Sequence, residues 1–120
     1  MKLGRKISGG KYIKSRKKKL HENSGQKRIV KLGEEKRKSI RVRGGNKKTF
    51  LLKSNIINVL DKDKKLKKIQ VKNVAETPSN RFLARQNIMT KGTIIETEIG
   101  KVKITNRPSQ EGIINGIIIE

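Results

Sequence analysis

The pattern of apolar and polar positions changes near residue 27. Residues 1–26 show no hydrophobic period, and Ser8-Gly9-Gly10 interrupts any helix there. From residue 27 onward, short apolar stretches alternate with polar ones, as where Ile40 and Val42 stand among Ser and Arg. A period of two residues is typical of half-buried strands. The pattern therefore predicts an extended N-terminal arm over 1–26 and a β-rich body over 27–120.

Turn signals divide the body into seven or so short strands. A first strand is predicted around Ile29 and Leu32, and a hairpin through 39–53 turns at Gly44-Gly45-Asn46, since these residues tolerate positive φ. A second hairpin is predicted to turn at Gly100. The remaining strands are predicted at 56–60, 66–74, 93–99, 101–105 and 113–119.

Two local features each allow two interpretations. Either Ser79 or Asn80 is predicted to cap a single helical turn over 81–86. Asn115-Gly116 interrupts the last strand, and it marks either a β-bulge or a place where another backbone comes close.

The predicted architecture is mostly β. Short strands at a spacing of roughly ten residues, with almost no helix, favour a small antiparallel β-barrel with a disordered basic N-terminal arm. Closing the sheet also removes exposed edges. Because Tyr12, Phe50 and Phe82 are the only aromatic residues, the core is predicted to consist mainly of Ile and Val.

Charge is concentrated towards the N-terminus. The whole chain carries +22, and residues 1–50 hold 19 Lys and Arg against three Glu. Residues 76–120 hold six Lys and Arg against five Glu. A basic arm before a nearly neutral body indicates a protein that binds a polyanion, and nucleic acid is the predicted one. The arm is expected to stay disordered until phosphates neutralise it.

Other classes of function have little support. The chain has no Cys for a disulfide or a thiolate zinc site, and no apolar run approaches the roughly 18–20 residues of a membrane span. His21 has no orienting partner in view, Glu96 and Glu98 are better explained as solvated strand residues, and Asp61 with Asp63 fails the calcium-loop spacing. We therefore predict no catalysis, no cofactor, no metal, no membrane contact and no small-molecule substrate.

The scarcity of aromatic residues argues against a base-stacking platform. It favours recognition of the backbone and shape of a structured duplex, in which glycines let the main chain approach phosphates and arginines bind them in a bidentate manner. Each arginine taken singly also fits an ordinary solvated strand charge. The candidate RNA-binding residues are Arg5, Ser8, Gly9, Gly10, Lys11, Arg16, Lys17, Lys18, Lys19, Arg41, Arg43, Gly44, Gly45, Asn46, Lys47, Lys48, Asn80, Arg81, Arg85, Lys91 and Arg107.

An ordered series of motifs runs through nearly the whole chain. The N-terminal half carries Arg5-Lys6-Ile7-Ser8-Gly9-Gly10, Arg16-Lys17-Lys18-Lys19 and Arg41-Val42-Arg43-Gly44-Gly45-Asn46-Lys47-Lys48. The C-terminal half carries Asn80-Arg81, Arg85, Asn87-Ile88, Lys91-Gly92-Thr93-Ile94-Ile95-Glu96-Thr97-Glu98, Gly100-Lys101, Thr105, Arg107-Pro108, Gln110, Gly112 and Asn115. In this order the motifs resemble the small-subunit ribosomal protein eS-eight family, shared by archaea and eukaryotes.

The resemblance implies a β-barrel body bound to 5′-domain small-subunit ribosomal RNA, with an arm that orders on RNA. The chain resembles the archaeal type of the family, because it lacks the long insertion of eukaryotic members. The departures are Asn106 and Ser109, where the family usually has Ser and Gly, and Glu111, where it usually has Asp. Phe50 and Leu52 fall in a stretch that is often more basic.

The expected function is therefore that of a structural constituent of the small ribosomal subunit in the cytoplasm. Its expected partners are small-subunit ribosomal RNA and neighbouring ribosomal proteins. A basic DNA-packaging protein is one alternative, and it would bind any duplex DNA equally well. An accessory RNA-binding protein, such as a translation or RNA-processing factor, is another, and it would associate with ribosomes only transiently.

Overall fold

The computed structural model describes residues 4–13, 15–61 and 64–119. Within these ranges the chain forms eight strands, one short α-helix and two 3-10 turns, at Leu20–Glu22 and Arg43–Gly45. The strands are β1 (Lys31–Leu32), β2 (Lys36–Arg41), β3 (Lys47–Ser54), β4 (Ile56–Leu60), β5 (Leu66–Glu76), β6 (Ile94–Thr97), β7 (Gly100–Ile104) and β8 (Asn115–Ile118), and the helix α1 (Arg81–Arg85) lies between β5 and β6. These elements confirm most of the predicted strands and the helical turn. The second hairpin turns at Glu98 and Ile99, just before the predicted Gly100, which pairs with Thr97 as the first residue of β7.

Five strands close into a barrel in the order β4, β5, β6, β7 and β8. Four neighbouring pairs are antiparallel, whereas β4 and β8 run parallel with Asn58 opposite Asn115. A ring with an odd number of strands cannot have every neighbouring pair antiparallel, so one parallel pair is required. The predicted barrel is confirmed, and its closing pair is the exception to the antiparallel pattern.

The other three strands form a separate sheet in the order β1, β3, β2. The predicted hairpin through 39–53 is present as β2 and β3, but it lies outside the barrel. The reason lies in its composition, since all six residues of β2 are exposed and only Ile40 among them is apolar. A strand with one apolar side chain cannot supply a buried face to a barrel wall.

The core lies inside the barrel and is mostly Ile and Val, as predicted. Burial alternates along β4, where Ile57 and Val59 are buried and their neighbours are not. Val30 and Leu51 belong to the same buried cluster, so the three-stranded sheet packs on the barrel through β3. Each such side chain contributes about 1.5–3 kcal/mol when it is fully buried.

The helix α1 begins with a cap supplied by Asn80. Its side-chain Oδ1 accepts a hydrogen bond from the Phe82 backbone N–H at 3.0 Å, which decides between the two predicted capping residues. The helix ends at Arg85, and Ala84 packs against the barrel core. One face of this single turn is therefore fixed to the body, and Arg81, Phe82 and Arg85 are exposed.

Gly116 lies where two strands and a core side chain converge. A Cβ built on it would stand 2.5 Å from Val102 Cγ1, 2.9 Å from Ile57 Cδ1 and 2.9 Å from the Lys103 carbonyl oxygen. The pairings of β8 with β4 and with β7 run through Gly116 without a register shift. Of the two interpretations of this position, close backbone approach is confirmed and the bulge is wrong.

Every described residue from 4 to 29 is exposed, and Val30 is the first buried side chain. The arm makes a tight turn in which the Gly9 N–H donates to the Lys6 carbonyl at 2.8 Å and the Lys6 N–H donates to the Gly10 carbonyl at 2.9 Å. The boundary at 26/27 and the disorder of the free arm stay predictions.

Candidate nucleic-acid interface

The outer part of the β2–β3 hairpin stands in solvent as a two-stranded ribbon. We call residues 39–49 the ribbon, and every one of them is exposed except the half-buried Val42. At its tip the Val42 N–H donates to the Asn46 carbonyl at 2.8 Å. Gly44 and Gly45 take φ values of 80° and 83°, and no atom lies within 4 Å of where their Cβ atoms would be. The main chain at the tip is therefore open to close approach by a ligand.

Like charges face each other across the ribbon. Arg41 is paired directly with Lys47 in the antiparallel register. Like charges opposite each other destabilise a strand pair, by roughly the 0.2–1 kcal/mol typical of cross-strand pairs. Neither residue takes part in an ion pair within the described ranges. The free ribbon thus presents cationic charge that an external anion would stabilise.

The loop over 105–112 brings Arg107 to the base of the ribbon. The Leu51 N–H of β3 donates to the Pro108 carbonyl at 3.2 Å and to the Glu111 carbonyl at 3.3 Å. Gly112 lies beside Thr49, whose Cγ2 would be 3.4 Å from a Cβ on the glycine. Arg107 itself is exposed on this loop, so its guanidinium is available near the base of the strand that carries Lys47 and Lys48.

A second basic group surrounds α1. The guanidinium carbons of Arg81 and Arg85 lie 5.5 and 5.9 Å from the centre of the Phe82 ring. Phe82 is 55% exposed. The side-chain oxygen of Asn80 is engaged in capping the helix, so this predicted RNA-binding residue also has a structural role.

Lys91 occupies a turn of its own before β6. Gly92 beside it has φ 84°, and the Thr90 N–H donates to Thr93 Oγ1 at 3.1 Å. Lys91 is exposed, and within the described ranges its side chain shares no hydrogen bond or ion pair with the ribbon or the α1 group. The structure therefore does not join this predicted residue to either basic surface.

In the arm, Arg16 is paired with an acidic residue that was not among the sequence candidates. Its guanidinium donates to Glu22 Oε1 at 2.5 Å and to Oε2 at 2.9 Å. This pair, helped by a hydrogen bond from the Lys19 backbone N–H, holds the pKa of Glu22 below its ordinary value of 4.5. Glu22 is the only acidic residue in the arm, and a single carboxylate among so many cations is the feature of the sequence that could have predicted this ion pair. A phosphate would compete with Glu22 for the Arg16 guanidinium.

The remaining cations of the arm are exposed. Arg5 Nη1 donates to the Gly9 carbonyl at 3.1 Å and so closes the turn that contains Ser8, Gly10 and Lys11. Lys17, Lys18 and Lys19 follow as an exposed run.

Arg28 joins the arm to the body and was also missed by sequence reasoning. Its guanidinium carbon lies 3.8 Å from the centre of the Phe50 ring, and Phe50 on β3 is only 3% exposed. Because Arg28 is itself exposed, a cation–π attraction of about 0.5–1 kcal/mol is expected here. Phe50 is one of the residues that depart from the resembled family, so the contact accounts for an apolar residue in a basic stretch.

Metal-binding clusters and membrane-spanning helices are both absent from the described residues. Residues 4–13, 15–61 and 64–119 contain no group of three or more His, Cys, Asp or Glu side chains arranged to hold a metal ion. In the same ranges no helix is long and apolar enough to cross a membrane.

The sequence also matches known proteins along nearly its whole length. The family model for ribosomal protein S8e matches residues 1–119. The chain belongs to the ribosomal protein S8e family. Small ribosomal subunit protein eS8 of Methanococcus aeolicus is 45% identical over 96% of this chain and 91% of its own length. The proteins of the same name from Nanoarchaeum equitans and Staphylothermus marinus are 44% and 46% identical, each over 97% of this chain and 92% of its own.

Two departures from the family pattern contact each other. Asn106 Nδ2 donates to Glu111 Oε2 at 2.9 Å and to the Ile113 carbonyl at 2.7 Å, while its Oδ1 accepts from the Asn115 N–H at 3.0 Å. Asn106 thus fastens the loop to the first residue of β8, and Glu111 holds the Asn106 side chain within the loop. Ser109, predicted to depart from the family pattern, is not among the residues with positive φ, so its backbone is not strained.

Proposed function

We propose that this chain is a structural constituent of the small ribosomal subunit that binds and stabilises folded small-subunit ribosomal RNA. The family match over residues 1–119, together with archaeal relatives named as small ribosomal subunit proteins, carries the proposal. Its partners are this RNA and neighbouring ribosomal proteins, in the cytoplasm. The role is structural and needs no catalytic group.

The proposed mechanism is electrostatic. A net charge of +22 on 120 residues repels itself in the free protein, and phosphates relieve that repulsion while releasing condensed counterions. With six to ten phosphate contacts, the affinity of the isolated chain for RNA falls by about 10³–10⁵-fold between about 50 and 200 mM salt, whereas neighbouring ribosomal proteins also hold the chain in the assembled subunit. The relevant contacts are to the backbone, so the RNA is recognised by where its phosphates lie.

The basic surface of ribbon and loop is the proposed docking point for an RNA helix. Its cations lie on a two-stranded ribbon and on a loop that is hydrogen-bonded to β3 at the base of that ribbon. The open backbone at Gly44 and Gly45 adds N–H donors for a phosphate at the tip. Arg41 and Lys47 carry like charges and face each other across the ribbon, and each is proposed to contact a phosphate.

The arm is proposed to run between RNA helices. Ordering it requires a loss of conformational entropy worth about 1–2 kcal/mol per residue, so many phosphate contacts must form together. Lys17–Lys19, Arg16 released from Glu22, and the turn at Ser8–Lys11 supply those contacts. The folded body would dock first, and the arm would follow.

Sedimentation of a native lysate in low- and high-salt sucrose gradients tests the function. Stoichiometric co-migration of the chain with the small subunit, retained at high salt, is expected. Release at moderate salt, or equal affinity of the purified chain for duplex DNA and for small-subunit RNA, would contradict the proposal and favour an accessory factor or a DNA-packaging protein.

Charge-reversal variants test the docking point. Arg43→Glu and Arg107→Glu should each weaken binding to small-subunit RNA and leave the melting temperature unchanged, because both side chains are exposed. Lys103→Glu on the outer face of β7 makes the same change in net charge and serves as the control. An equal loss of affinity in all three variants would show that net charge alone matters and that the ribbon and loop are not the docking point.

A further inference from the structure

Phe82 is the exposed aromatic side chain on the folded body. Phe50 is buried beneath Arg28, and Tyr12, although 52% exposed, lies in the arm. Phe82 thus leaves an apolar ring in water on the folded body, on a helix fixed by its Asn80 cap. Leaving apolar area exposed forgoes about 25 cal/mol per Å² of burial, so a ligand that covered the ring would gain that free energy.

Two guanidinium groups accompany the ring. Arg81 and Arg85 are one helical turn apart, and both lie within 6 Å of the Phe82 ring centre. Within the described ranges neither arginine has an acidic partner. An aromatic ring beside two cations that lack an acidic partner offers stacking and anion binding at one place.

A shallow open groove of about 470 Å³ lies beside these arginines. It is lined by both arginines, by the apolar Val74 and Ala84, and by the amides of Asn73 and Asn87. Such amides both donate and accept hydrogen bonds, as the edge of a nucleobase does. Phe82 does not line the groove, so the two arginines are what connects these polar groups with the ring.

We propose that Phe82, Arg81 and Arg85 form a binding site for one unpaired nucleotide of RNA. The base stacks on the Phe82 ring, and the guanidinium groups bind the flanking phosphates. This site rests on the proposed RNA-binding function and deepens it. The scarcity of aromatic residues excludes an extended stacking platform, but a single exposed ring is enough for one base flipped out of a duplex or held in a loop.

Stacking requires an unpaired base, because paired bases within a duplex have both faces covered. Removing the ring should therefore weaken binding to single strands and spare binding to duplexes. Base–aromatic stacking corresponds to a loss of about 5- to 150-fold in affinity on removal of the ring. Since no charge is removed, the slope of affinity against salt should stay the same.

The test uses the full chain, single-stranded oligoadenylate of about ten nucleotides, and a blunt RNA duplex of the same length. Phe82→Leu should weaken binding to oligoadenylate about 5- to 150-fold and leave binding to the duplex unchanged. Ile99→Ala, which trims an exposed apolar side chain elsewhere on the body, is the matched control and should change neither affinity.

A fluorescent variant provides a second test that does not depend on the stability of Phe82→Leu. The chain has no Trp, so Phe82→Trp introduces a single indole whose emission a stacked base quenches. Quenching by oligoadenylate but not by the duplex is expected. Absence of quenching, or unchanged oligoadenylate affinity in Phe82→Leu, would overturn the stacking site. Either result leaves the ribosomal function standing if the chain still co-sediments with the small subunit.

Discussion

Gly116→Ala should destabilise the barrel, because the added methyl group has no room. Its Cβ would lie 2.5 Å from Val102 Cγ1 and 2.9 Å from Ile57 Cδ1, both far inside van der Waals contact. A side-chain atom can move, but the Lys103 carbonyl oxygen at 2.9 Å belongs to the backbone of β7. The strand pairings must therefore shift by several tenths of an ångström around the closing strand.

The size of the effect follows from the packing. Adding a methyl group to a filled core costs typically about 1–3 kcal/mol, and this site combines three close contacts, so we expect a value at the upper end. For a domain of this size, the corresponding fall in melting temperature is about 8–15 °C. A second substitution separates the contributions, because Val102→Ala removes the nearest obstructing atom and leaves the carbonyl in place.

The assay is thermal unfolding followed by circular dichroism at high salt, where self-repulsion is screened. Gly25→Ala is the control, since nothing lies within 4 Å of its Cβ position. In the double variant, Val102→Ala should offset part of the Gly116→Ala loss, with a favourable coupling of about 0.5–3 kcal/mol. An unchanged melting temperature in Gly116→Ala would refute the close-approach account, and a strictly additive double variant would remove Val102 as its cause.

Three further predictions concern the arm and the core. Arg16→Gln should raise the pKa of Glu22 towards 4.5, as measured by carboxyl NMR titration, and an unmoved pKa would contradict the pairing. Because the folded pKa is the lower one, the ion pair stabilises the arm above pH 4.5, and this contribution is lost as pH falls through the folded pKa. Deleting 1–26 should reduce RNA affinity and its salt slope without changing the melting of the body, whereas a large fall in melting temperature would show that the arm packs on it. Ile95→Asp places a charge at a fully buried position and should lower the stability to unfolding by about 4 kcal/mol or more, and an unaltered melting transition would refute its place in the core.

Local chemistry determines the parts of the fold that the sequence could predict. Alternation around Ile57 and Val59 marks β4, and the glycines at 44 and 45 mark the hairpin turn, because each depends on neighbouring residues alone. The cap at Asn80 was one of two candidates for the same reason, since both residues have a suitable side chain. The choice between them depends on backbone geometry that the sequence does not display.

Long-range pairing determines the parts that the sequence could not predict. The parallel pairing of Asn58 with Asn115 joins residues 57 positions apart, and no local pattern specifies it. The exclusion of β2 from the barrel follows from its single apolar side chain, which becomes informative only when five other strands are known to close a ring. The list of RNA-binding residues remains a prediction, although the structure groups Arg107 with the ribbon and Arg81 with Phe82.

The position of the charges explains why folding and RNA binding make opposite demands on the ribbon. Arg41 and Lys47 face each other where a neutral pair would stabilise the strands, so this arrangement destabilises the free hairpin. The barrel tolerates it because the core is closed by other strands, and the ribbon carries almost no buried area. A phosphate backbone placed along the ribbon converts the same two charges from repulsive neighbours into separate contacts. The ribbon should therefore be among the least stable parts of the free body and should gain the most order from RNA.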